Sequence, residues 1–168
     1  MKFPKSSTWI LVISMLLNIV LGSLWMYKNN QAEAALARVA MITQNDLVEL
    51  ESAIAYEVEH EWKEESIILE KIEDVLQDLY TITATADEIG VLTEEQEAML
   101  DHLRELLSGF PAYTGFPNTE LSDSQRKDLE KLADSLRRAG WGMNLSYSGD
   151  WQSFERSARL LTDYYDPG

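Results

Sequence analysis

The chain has 168 residues, with 29 acidic and 14 basic side chains, and its formal net charge is −15 at pH 7. The phosphates of nucleic acid carry the same sign of charge as this chain, so we predict no nucleic-acid partner. Cysteine is absent, which excludes disulfide bonds, zinc sites with thiolate ligands and cysteine nucleophiles.

An uncharged apolar segment, residues 9–27, predicts a transmembrane anchor. Its nineteen residues would span roughly 28 Å as a helix, close to the ~30 Å hydrocarbon core of a bilayer. Aromatic residues stand at both ends of the segment, as is typical of the lipid headgroup level. Lys2 and Lys5 precede it and Lys28 follows it, so positive charge is heavier on the amino-terminal side. This bias predicts that residues 1–8 form a short cytoplasmic tail and that the rest of the chain lies outside the cytoplasm.

Two alternatives to this topology remain open. Ala32-Glu33-Ala34 resembles the small-x-small pattern of a signal-peptidase site, so residues 1–34 could be removed as a signal peptide. The apolar core is longer than is usual for such a peptide, and Lys28 separates it from the alanines. The second alternative is the opposite orientation, with the carboxyl-terminal part in the cytoplasm, because the charge bias involves few residues.

Within the anchor, Ser14, Asn18 and Gly22 follow one another at intervals of four and share one helical face. Small residues let helix backbones approach closely in lipid, and an asparagine amide can form a hydrogen bond across the contact. We therefore predict that this face contacts another transmembrane helix, either in self-association or in a partner protein. The alternative is that small polar residues are simply tolerated in a single-pass helix.

Two long amphipathic helices are predicted after the anchor, over residues 31–62 and 66–89. Apolar side chains recur in both at intervals of three and four, as in a helical bundle or coiled coil. The sequence leaves open whether the helices are continuous through residues 62–66, with a slight preference for a turn and for Ser66 as N-cap. The predicted buried face of the first contains Leu36, Ala40, Leu47, Leu50, Ile54, Val58 and Trp62.

Three shorter helices are predicted from their capping residues. Thr93 with Gln96 has the spacing of a capping box, and so has Ser122 with Gln125. Asp150 is a good N-cap for the last helix. Glycines follow the second, third and fourth helices, where they commonly terminate helical structure.

These patterns predict an all-α fold with one N-terminal transmembrane helix followed by a four- or five-helix bundle. Residues 9–27 are the predicted anchor, 28–45 a helical stalk and 46–168 an acidic extracytoplasmic bundle. Charge is uneven in the bundle: residues 46–105 contain 19 acidic and three basic side chains, whereas residues 106–168 contain nine and seven. The acidic half would attract cations or a basic partner, unless it serves only to keep the helices soluble.

We predict neither a metal centre nor an enzyme. Glu57 and His60 have the Glu-x-x-His spacing of carboxylate-bridged di-metal bundles, but Met99 precedes the other histidine, His102, at the same spacing, so a second copy is missing. No familiar catalytic motif is present, and no cofactor is predicted. A weaker alternative is calcium binding by clustered carboxylates. That cluster would consist of Glu57, Glu61, Glu64 and Glu65.

Aromatic residues are concentrated in the last third of the chain, where they predict a surface for a protein partner or a ligand. The alternative is that these side chains fill the core between short helices. The candidate residues are Phe110, Tyr113, Phe116, Trp141 and Trp151.

The sequence thus predicts a single-pass protein of the cell membrane that acts through protein–protein interaction. The expected role is that of an accessory or structural component of an envelope complex, with self-association through the anchor as one form of contact. The alternative is an extracytoplasmic ligand-binding or sensory bundle that signals through a partner membrane protein.

Overall fold

The computed structural model describes residues 5–115 and 120–165, with side chains from Trp9 onward. Within these residues the chain forms five helices and no strand, and the first helix contains a long apolar segment. The prediction of an all-α fold with an N-terminal candidate span and a helical bundle is therefore confirmed. The helices are α1 (Lys5–Glu59), α2 (Ser66–Ile89), α3 (Glu94–Ser108), α4 (Asp123–Ala139) and α5 (Trp151–Tyr164).

The chain divides into two units, residues 1–34 and 35–168. The described part of the first unit is the amino-terminal portion of α1. The second unit contains the remainder of α1, the other four helices and the hydrophobic core. Leu36 and Ala40, which fall within the predicted stalk, are buried in this second unit.

The predicted apolar face of α1 is buried as far as Ile54, and Trp62, its last predicted member, lies beyond the end of the helix and is half-buried. Leu50 and Ile54 are fully buried, whereas Val58 is 43% exposed and Glu57 only 1% exposed. The prediction for Val58 is wrong because α1 ends at Glu59 and the following turn folds over Glu57 instead. In that turn the Trp62 backbone N–H donates to the Glu57 carbonyl oxygen, 2.8 Å away.

A turn separates α1 from α2, so the two helices are not continuous. Glu61 and Trp62 have left-handed backbone angles, with φ of 61° and 57°, which stop the helix. Ser66 is already helical, and Glu65 occupies the N-cap position without a side-chain capping bond. The prediction of Ser66 as N-cap is therefore wrong, because helical backbone angles already begin at Glu65.

The predicted caps of the other helices are confirmed. Both capping boxes form at the starts of α3 and α4, and Asp150 accepts a hydrogen bond from the Ser153 backbone at the start of α5. Gly140 ends α4 with φ of 103°, a conformation in which a side chain would be strained.

Helices α2 to α5 pack in a continuous series, α2 on α3, α3 on α5 and α5 on α4. The carboxyl-terminal part of α1 joins them through the same hydrophobic core. Ion pairs also tie α1 to its neighbours: Lys71 on α2 pairs with Glu49, and Arg137 on α4 pairs with Glu51.

Candidate functional site

The apolar segment of α1 is exposed throughout its length. Fifteen large apolar side chains between Trp9 and Tyr27 are 44–70% exposed. By length and composition, α1 is the one described helix able to cross a membrane, and it lies near the amino terminus. A contiguous apolar surface of this size is unusual on a water-soluble protein.

Two polar side chains of this segment donate hydrogen bonds to backbone carbonyl oxygens one turn earlier in the helix. The Asn18 side-chain amide donates to the Ser14 carbonyl oxygen at 2.9 Å, and the Ser23 hydroxyl donates to the Ile19 carbonyl oxygen at 2.8 Å. A methyl group placed at Gly22 would meet nothing within 4 Å. The face formed by Ser14, Asn18 and Gly22 is therefore open, and its role as a helix contact stays a prediction.

The predicted aromatic surface is divided in the structure. Trp141 is fully buried, with its ring 6.0 Å from that of Phe154, so it belongs to the core and cannot contact a partner. Trp151 is half-buried, with its ring 5.4 Å from that of Phe154. Phe116 lies outside the described residues. Phe110 and Tyr113 are half-buried, and each lines a different cleft of the second unit.

The first cleft, called here the Trp62 cleft, has a volume of about 560 Å³ and is lined by Trp62, Tyr113 and Arg126 among others. The Arg126 guanidinium carbon lies 5.8 Å from the centre of the Trp62 ring, within the range of a cation–π interaction. Glu65 accepts hydrogen bonds from the Arg126 guanidinium at 2.6 Å and from the Leu121 backbone at 2.8 Å. Glu65 and Arg126 therefore pair with each other within this cleft.

The second cleft, called here the Tyr165 cleft, has a volume of about 400 Å³ and lies among α3, α4 and the end of α5. The rings of Phe110 and Tyr165 form one wall, with centroids 6.4 Å apart and planes tilted by 49°. Glu105 and Asp128 supply two carboxylates. Burial raises the pKa of the Tyr165 phenol, and the negative charge of Asp128 raises it further.

The residues around Glu57 do not assemble the metal ligands that the sequence suggested. Glu57 is buried and its Oε2 accepts a hydrogen bond from the Glu64 backbone at 2.8 Å. His60 is exposed, stacks on Tyr56 with ring centroids 3.9 Å apart, and bonds through Nδ1 to the Tyr56 carbonyl oxygen. Across the described part of the chain, no three histidine, aspartate or glutamate side chains come together as possible metal ligands.

A polar seam, which the sequence pattern did not predict, lies between α1 and the segment that joins α4 to α5. The seam consists of Gln44 and Glu51, which are buried at core positions of α1. Gln44 donates to the Ser148 carbonyl oxygen at 3.1 Å, and Glu51 accepts from the Met143 backbone at 3.1 Å. Glu51 also pairs with Arg137. The signal that could have revealed the seam is the seven-residue spacing of two polar side chains beside the apolar face.

A pair of carboxyl groups, Asp46 on α1 and Asp78 on α2, lies next to Thr43, which is buried on α1. Burial raises the pKa of Asp78 to about 6, and the adjacent Asp46 carboxyl contributes to the same shift. The Asp78 Oδ2 atom is buried without a donor in the described structure. A proton held between the two carboxyls would supply that donor.

Comparisons with models of known protein families, with curated proteins and with solved structures find no match to this chain.

Proposed function

We propose that this chain is a single-pass membrane protein whose helical domain lies outside the cytoplasm and acts by binding another protein. In this proposal it is an accessory or structural component of an envelope complex. The observation that carries the proposal is the exposed apolar segment of α1.

The energetics of that segment support placement in a membrane. Moving one large apolar side chain out of water contributes about 1.5–3 kcal/mol, and fifteen such side chains are exposed between Trp9 and Tyr27. The hydrophobic core of residues 35–168 uses none of these fifteen residues. Lipid, or lipid together with another helix, is the environment that such a segment requires.

The charge distribution supports the outward orientation. Lys2 and Lys5 precede the segment, whereas all 29 acidic residues of the chain follow it. Positively charged flanks favour the cytoplasmic side, so the acidic helices are assigned to the opposite side.

A second function, an extracytoplasmic ligand-binding or sensory domain, is favoured by the size of the two clefts. Volumes of about 560 and 400 Å³ fall within the usual range for small-molecule sites, roughly 300–1,000 Å³. In that case the signal would pass inward through a partner membrane protein that contacts the anchor.

Placement and orientation are tested first. We expect the full chain to stay in the membrane pellet after alkaline extraction, and protease added to intact cells or spheroplasts to digest the helical domain. Release by alkali would contradict the anchor, and digestion only after lysis would contradict the orientation. Retained amino-terminal residues in the mature protein, read by mass spectrometry, would exclude cleavage of a signal peptide.

The binding role is tested by cross-linking in the membrane. We expect Asn18→Leu to reduce the yield of cross-linked complexes, because it replaces the central polar residue of the Ser14, Asn18 and Gly22 face. Ser23→Leu is the matched control, since Ser23 lies on another side of the same helix. Equal yields from the two variants would contradict a contact through this face. Ligand-dependent melting without any cross-linked partner would favour the second function.

A further inference from the structure

The Tyr165 cleft is acidic as well as aromatic. Glu105 of α3 and Asp128 of α4 both line it, and no lysine or arginine is among its nine lining residues in the described structure. Asp128 pairs with the Lys131 ammonium at 3.0 Å, but this i,i+3 pair is solvent-accessible. Accessible pairs of this kind contribute only about 0–1 kcal/mol, so an incoming cation can replace Lys131 at little cost.

The aromatic wall of the cleft complements the same kind of ligand. Phe110 and Tyr165 present two tilted rings, and the electron-rich faces of such rings attract cations. Leu106 adds an aliphatic side chain to the lining. An arginine side chain combines a planar cation, which stacks on aromatic rings and pairs with carboxylates, with an apolar stem that packs on aliphatic groups.

We infer that the Tyr165 cleft is the docking site for a basic side chain, above all arginine, that a protein partner presents beside an apolar residue. The inference rests on the proposed binding function and specifies the chemistry of its partner.

Charge complementarity across the whole domain favours a protein as the source of that cation. Residues 46–105 contain 19 acidic and three basic side chains. A field of this sign steers a basic protein surface toward the domain and increases its rate of association. The cleft itself lies mainly among residues 106–168, where acidic and basic side chains are nearly balanced, and Glu105 and Asp128 supply its own negative charge.

The test uses the full-length protein in non-ionic detergent and a fluorescent peptide in which arginine alternates with leucine. A second peptide contains citrulline in place of arginine and has the same shape without the charge. We expect saturable binding of the arginine peptide by fluorescence anisotropy and at least a tenfold higher Kd for the citrulline peptide, about 1.4 kcal/mol or more.

Variants locate the binding on the protein. The double variant Glu105→Gln with Asp128→Asn removes both carboxylates of the cleft. The matched control, Glu97→Gln with Glu130→Gln, removes two exposed carboxylates from the same two helices outside the cleft. We expect the cleft variant to raise the Kd of the arginine peptide about tenfold and the control less than about twofold. All four changes are close to isosteric, and circular dichroism verifies that the helices are retained.

Four results would each overturn the inference. They are equal weakening by both double variants, equal binding of the two peptides, no saturable binding up to about 1 mM, and binding of N-acetyl-arginine amide as tight as that of the peptide. The last result would identify a site for small cations. None of these results alters membrane extraction or the effect of Asn18→Leu on cross-linking, so the proposed function is tested separately.

Discussion

Replacing Asp78 by asparagine is expected to stabilise the helical domain at neutral pH. Asp78 lies on α2 beside Asp46 of α1, with Asp74 one turn away on its own helix. Burial and these two carboxyls make its charged form unfavourable and raise its pKa from 3.8 to about 6. Asparagine has no charge, and its amide can donate a hydrogen bond to Asp46 as the protonated acid would.

The sign of the pH dependence follows from the direction of this shift. Because the pKa of Asp78 is higher in the folded than in the unfolded chain, the folded state binds the proton more tightly, and stability is lost as pH rises from about 4 through 6. A change from 3.8 to about 6 corresponds to an upper limit of about 3 kcal/mol. Asp78 is only partly buried, so solvent screening reduces the expected effect to about 1 kcal/mol.

The assay is urea unfolding of the full chain in detergent, followed by circular dichroism, at a series of pH values. We expect the free energy of unfolding of Asp78→Asn to exceed that of the wild type by about 1 kcal/mol at pH 7.5, and this difference to disappear at about pH 4. Comparing the two proteins at each pH cancels the titration of carboxylates that do not interact with Asp78. Glu73→Gln, an exposed position on the same helix, is the control. An advantage independent of pH, or equally large for Glu73→Gln, would refute the reasoning.

Three further changes test the packing of the bundle, with the free energy of unfolding in urea as the measurement. Glu51→Ala is expected to cost about 2 kcal/mol, because it leaves the Met143 backbone without its acceptor, whereas Glu59→Ala, at an exposed position, should have little effect. Trp141→Ala should cost about 3–5 kcal/mol because the ring is fully buried. Trp151→Ala should cost distinctly less, since that ring is only half-buried. Equal costs would contradict the assignment of Trp141 to the core and of Trp151 to its edge. Gly140→Ala should cost about 1 kcal/mol or more because its φ of 103° strains any side chain, and no loss would contradict that geometry.

Local signals predicted the helices well because each signal acts within a few residues. The capping boxes at Thr93 and Ser122 satisfy backbone donors one turn away, so their formation depends little on the rest of the fold. The apolar spacing of α1 likewise predicted burial of Leu47 and Ile54.

Burial at the ends of helices was not predictable in this way, because it depends on where the chain turns. Spacing alone assigned Val58 to the core and left Glu57 outside. The left-handed residues Glu61 and Trp62 instead direct the turn over Glu57. No glycine or proline marks that turn in the sequence, so its position and the exposed Val58 had to be read from the structure.

The lining of the Tyr165 cleft likewise depends on tertiary contacts that the sequence pattern does not show. Tyr165 follows directly after α5, which ends at Tyr164, and its ring lies half-buried against Phe110. Asp128, 37 residues earlier in the chain, comes close enough to raise the pKa of its phenol. A residue just past the end of a helix has the core on one side and solvent on the other. Its side chain can therefore line a cleft even when its sequence position fits the apolar spacing of the helix. At this position an aromatic ring lies near a carboxylate of another helix. We therefore expect a partner of this acidic bundle to bind there.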